Sequence, residues 1–148
     1  MSISDRRKGA PVTPETDADR ERRAGLAAVA EALRPLHQRL IGLMREEYEL
    51  LHGPIGGPVP LHRLLLSDPF FAWLMPMLKV MAEVDEHVDQ QQPIGVATAS
   101  VLKKKVEALV STTGDPPHPF ATRYVELLQT SHDLILAHLP LRHALKRL

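Results

Sequence analysis

The sequence predicts an all-α domain, an antiparallel four-helix bundle with prolines in its helices and a short extra helix before the second. Three observations predict it. Apolar residues recur at steps of three and four over long stretches, the repeat of a helix with one buried face. Aromatic residues are only 4% of the 148, so the core must be mostly Leu, Val, Ala and Met, a palette that favours helix over sheet. Gly- and Pro-rich segments (GPIGGPVP, QQQPIG and STTGDPPHP) cut the chain into a few long pieces.

The length suggests one domain, and an apolar content of 44% is enough for a core. Residues 1–14 are polar, with Gly9, Pro11 and Pro14, and read as a disordered tail. Residues 15–148 then form the single bundle. The first helix should begin near Thr16, where Asp17, Asp19 and Glu21 suit its positive end, and stop by His52 at Gly53 and Pro54. Leu26, Leu33, Leu40 and Glu47 form one row on it. Ala30, His37, Met44 and Leu51 form the next, flanked by Val29, Leu36, Leu43 and Leu50. Pro35 is expected to kink or split this helix. His37 and Glu47 are the polar residues in otherwise apolar rows.

Leu61 to Leu66 reads as the short extra helix. The central helix follows. Asp68 can cap it and Pro69 suits its first position. One inward row is Phe70, Leu74, Met77, Met81, Val84 and Val88. A second is Phe71, Leu74, Leu78, Met81, Asp85 and Val88, with Asp85 its one charge. Pro76 lies inside the pattern and predicts a kink. The run LLLSDPFFAWLMPM, followed by AEVDE, resembles a pattern of small, uncharacterised bacterial helical proteins. The resemblance covers Leu64 to about Glu86 and implies a helical fold; no activity comes with it.

A third helix is expected from a cap at Thr98 or Ser100 to near Ser111 or Thr112. Lys103, Lys104 and Lys105 near its start and Glu83, Asp85, Glu86 and Asp89 near the end of the helix before it both oppose the helix dipole. An antiparallel pair brings the two clusters together. A fourth helix should run from about Pro119 through Phe120, Tyr124, Leu127, Ser131, Leu134, His138, Leu141 and Leu145, with Pro140 bending or dividing it. Its basic end, LRHALKRL, suits the negative end of a helix.

Several chemistries are excluded. Without Cys there can be no disulfide, zinc ribbon, iron–sulfur cluster or thiol nucleophile. A net charge of zero does not favour nucleic acid or anionic lipid. No signal peptide is apparent, and the longest apolar run, Phe70 to Leu78, is too short to span a bilayer, so a soluble cytoplasmic protein is expected. A carboxylate-bridged di-iron bundle needs two Glu-x-x-His pairs, and only Glu49 and His52 have that spacing. Glu83 and His87, one turn apart, could share a metal, although such pairs are more often local polar contacts. No cofactor is implied.

One polar layer is testable by level. With Leu51 set beside Phe70, His37 lies fourteen residues lower, about 21 Å at 1.5 Å per residue. The same drop reaches Asp85 on the second helix and Ser131 or His132 on the fourth. His37, Asp85, Ser131 and His132 are therefore the candidate ligand-binding residues, and a His37–Asp85 pair that fixes bundle register is the structural alternative. The absence of any complete catalytic motif points to a non-enzymatic interaction or regulatory module, with a protein partner or a second copy of the chain. The rival reading is a bundle that binds a metal or small polar ligand through His37 and Asp85. An enzyme using that layer ranks third.

Overall fold

The computed structural model describes residues 14–148; the expected tail lies outside them except for Pro14. The described chain is helical throughout its regular structure: α1 (Asp17–His52), α2 (Pro58–Ser67), α3 (Met75–Asp89), α4 (Val96–Val110), α5 (Pro119–Thr130) and α6 (His132–Arg147). A short 3-10 turn, Ala72–Leu74, leads into α3.

Helix α1 has the predicted ends. Thr16 accepts from the Asp19 N–H while Asp19 accepts from the Thr16 N–H, each at 3.0 Å, so two orphan donors of the first turn are satisfied reciprocally. At the other end Gly53 takes φ +84°, a left-handed value that suits glycine. The helix continues through Pro35 rather than splitting there. A proline removes one hydrogen bond, and the wide apolar face on either side outweighs that loss. Leu26, Leu33 and Leu40 are buried, as are Ala30, His37 and Met44. Both rows then leave the core: Glu47 is exposed, and Leu51 is 68% exposed.

The central segment departs from expectation. It is not one helix from Asp68. Asp68 accepts from the Phe70 N–H at 2.9 Å, but the next turn uses i to i+3 bonds, such as Leu74 N–H to the Phe71 carbonyl at 3.1 Å. The α-helix begins only at Met75, which puts Pro76 in its first turn, where the missing N–H costs nothing. The expected mid-helix kink is thus a helix start. The bend between α2 and the segment that follows is 77°. Phe71, Leu74, Met77, Val80 and Val84 are the buried residues of this region, whereas Leu78 and Asp85 of the second predicted row turn outward.

Two other boundaries differ. Helix α4 starts at Val96 with Gly95 as its cap, before Thr98 and Ser100. The buried Ile94 fixes the chain there, and its carbonyl accepts from Arg22 at 2.8 Å. The predicted fourth helix breaks at Ser131, not Pro140. Ser131 is extended, and its hydroxyl accepts from the Leu134 N–H at 3.2 Å, so the side chain restarts a helix rather than continuing one.

One hydrophobic core joins the helices; α2 has no fully buried residue and packs on it through half-buried Leu61, Leu64 and Leu65. Helix α1 lies against α6 and α3, α4 against α3 and α5, and α5 against α6. The start of α1 meets the end of α3, where Arg23 donates to the Val88 carbonyl at 2.6 Å. The end of α1 meets the turn before α3, where the Tyr48 and Phe71 rings lie 5.5 Å apart. Glu83 and Lys105 pair at 2.7 Å, one contact of the kind expected between the acidic and basic clusters.

Candidate functional site

Helix α1 places His37 in an apolar row, one turn after Leu33 and two turns before Met44. The residue is only 9% exposed. Burial pushes its pKa below the ordinary value, so at neutral pH the ring is an uncharged imidazole with one N–H donor and one lone pair. Among the described residues neither is used: the ring has no hydrogen-bond partner, yet no ring nitrogen is sealed from solvent without one. Buried polar groups are normally paired, so this histidine stands out.

The reason it stays unsealed is the path of α2. After the 77° bend α2 rests on the core only through half-buried leucines, and a cleft of about 370 Å³ opens between it, α1 and the start of α3. His37 and Ile41 form one wall, Leu65 and Leu66 the opposite wall, and Phe71 and Leu74 line it from the turn before α3. His62 and Gln38 add polar groups to the lining. The volume falls within the range of ligand pockets, and a mostly apolar lining with few polar groups is their usual chemistry.

The other sequence candidates go elsewhere. Asp85 pairs with Arg34 at 3.3 Å, both partly exposed, and makes no hydrogen bond to His37. Ser131 caps α6, and His132 is exposed on its first turn. Glu83 is occupied by Lys105, and His87 contacts the Gln90 side chain at 3.1 Å through Nδ1. Among the described residues no three His, Asp or Glu side chains gather around a common point that could hold a metal. Of the four candidates for one polar layer, only His37 lines this cleft.

A second polar pair escaped the sequence reading. Tyr124 on α5 is fully buried, and its hydroxyl lies 2.7 Å from Nδ1 of His138 on α6. Burial pushes the Tyr124 pKa far up, so the hydroxyl keeps its proton. Fourteen residues along one straight helix would separate these two by about 21 Å. The break at Ser131 folds them together. The available signal was Ser131 in a largely apolar row that also holds Tyr124 and His138.

No family model matches the chain, and no curated protein or solved structure shows significant similarity to it.

Proposed function

We propose that this chain is a small-ligand-binding helical module whose site is the cleft at His37. Its ligand is a largely apolar molecule with one hydroxyl or carbonyl group that hydrogen-bonds the imidazole. The observation that carries this reading is His37 itself: nine-tenths buried, uncharged and without an internal partner on the wall of an apolar cleft. A neutral ring does not favour an anionic ligand, and the leucines, Phe71 and Leu74 supply the apolar contact. Asp85 has no part in the site.

The reading takes the helices as an antiparallel bundle of α1, α3, α4 and α6, with α2 as a wall added at one end and α5 as a short arm folded back on α6. Contacts that support it are Arg23 with Val88, Tyr48 with Phe71, and Arg39 with Asp133 at 3.7 Å. An interaction module has less behind it. Ile135, Leu136 and Leu139 form an exposed apolar stripe on α6, but no described segment covers it.

Naphthol and naphthalene test the site, since they differ by one hydroxyl. Naphthol should bind saturably and more tightly than naphthalene. A neutral hydrogen bond contributes about 0.5–1.5 kcal/mol, or a factor of about two to twelve in affinity. In His37→Leu that preference should vanish while naphthalene still binds. Absence of saturable binding, or an unchanged preference in the variant, would sink the proposal.

A further inference from the structure

A second cleft lies on another part of the molecule, between α4, α6 and the loop that follows α4. Its volume is about 630 Å³. Lys103 comes to it from α4, Arg142 and Lys146 from α6, and the hydroxyl residues Ser111, Thr112 and Thr113 from the loop. Val110, Val125 and Leu145 give it an apolar side. We propose that this cleft is a binding site for a small organic phosphate, with the phosphate held by Arg142, Lys146 and Lys103 and the organic part resting on Val125 and Leu145.

The first argument is charge. Seven other arginines, Arg20, Arg22, Arg23, Arg34, Arg39, Arg45 and Arg123, are in ion pairs. Arg63, Arg147, Lys79 and Lys104 have no such partner among the described residues either, but of the unpaired cations only Arg142, Lys103 and Lys146 share one concave surface. Glu107 is the single acid in the lining, which leaves two positive charges in excess, three against one. The carboxyl ends of α4 at Val110 and of α6 at Arg147 each oppose an anion with about half an elementary charge, together too little to reverse that balance. Local excess charge in a concavity raises the concentration of a counter-ion there, and a guanidinium matches the geometry of a phosphate oxygen pair.

The second argument is the buried pair beneath. The Tyr124 hydroxyl, which keeps its proton, and Nδ1 of His138 lie 2.7 Å apart; with the hydroxyl as donor, the His138 N–H falls on Nε2. His138 also lines the cleft, so that N–H is a further donor to a bound oxygen. The pairing fixes the ring's tautomer before any ligand arrives. Ser111 already donates its hydroxyl to Thr113 Oγ1 at 3.0 Å, so the donors are three cations, one imidazole N–H and the Thr112 and Thr113 hydroxyls, which is the inventory that a phosphate's oxygens require. The apolar side distinguishes an organic phosphate from the free ion. This site shares no lining residue with the cleft at His37 and does not depend on its occupancy.

The test uses the full chain with phenyl phosphate, inorganic phosphate and phenol, followed by calorimetry and by the imidazole resonances of His138. Phenyl phosphate should bind saturably, at least tenfold more tightly than either control, and should shift the His138 resonances. Arg142→Gln and Lys146→Gln should each weaken it about tenfold, whereas Arg63→Gln, a change outside the cleft, should not. Inorganic phosphate binding as tightly as phenyl phosphate would overturn the organic part of the proposal. No saturable binding, or equal loss in Arg63→Gln, would overturn all of it.

Discussion

At the scale of single residues, His37 carries an acid liability as well as a site. Its folded pKa is depressed by burial, and so is that of His138, where Arg142 adds repulsion. A depressed histidine means that the unfolded chain binds more protons as pH falls below the ordinary value of about 6.5. Stability is therefore full above that pH and is lost as the pH drops through the folded values. His37→Leu should remove part of this loss, so urea midpoints at pH 5 and pH 8 should lie closer together in the variant than in the wild type. An unchanged gap would show that His37 is not desolvated. The residue was legible in the sequence because a polar side chain interrupts an apolar row. Its supposed partner was not. Counting residues along two helices gives height but not azimuth, and Asp85 stands near the right level while pointing to Arg34, one turn before His37.

At the scale of elements, segment types were legible because Gly53, Pro54 and the other Gly and Pro clusters mark where helices cannot continue. The errors came where a residue can act in two ways. Pro76 suits a helix start as well as a kink, and Ser131 suits a cap as well as the inward helical position expected of it. The connection from α3 to α4 was illegible for another reason. The Arg23 guanidinium donates to the carbonyls of Val88, Gln90 and Gln92 at 2.6, 2.9 and 2.8 Å, and Arg22 holds the Ile94 carbonyl. Every residue has a carbonyl, so no pattern in the sequence names these partners. Glu15 fixes the same guanidinium from the other side at 2.7 Å. Arg23→Ala leaves several partly buried carbonyls without donors and should cost roughly 1–3 kcal/mol. Denaturant unfolding measures that loss; a cost within error of zero would mean the loop holds itself.

At the scale of the whole molecule, stability is unevenly shared. The largest fully buried side chains, among them Tyr124, Phe71, Leu36 and Met44, belong to the elements of one contiguous core. Helix α2 contributes no buried residue to it, yet supplies Leu65 and Leu66 to the cleft at His37. Amide exchange should show α2 opening more readily than α1, because it is held only by half-buried leucines and no fully buried residue. One wall of the proposed ligand site is thus a door on a loose hinge. Affinity is then divided by the fraction of time the door is shut, whatever the contacts inside. The hinge is Gly56–Gly57, and Gly57 has φ −84° with open space where a Cβ would go. Gly57→Ser fits that backbone, can cap α2, and reduces the freedom of the open state by about 0.4–1 kcal/mol. Naphthol should bind this variant two- to fivefold more tightly although no atom near the ligand has changed, and a lower affinity would show that the site needs its door ajar.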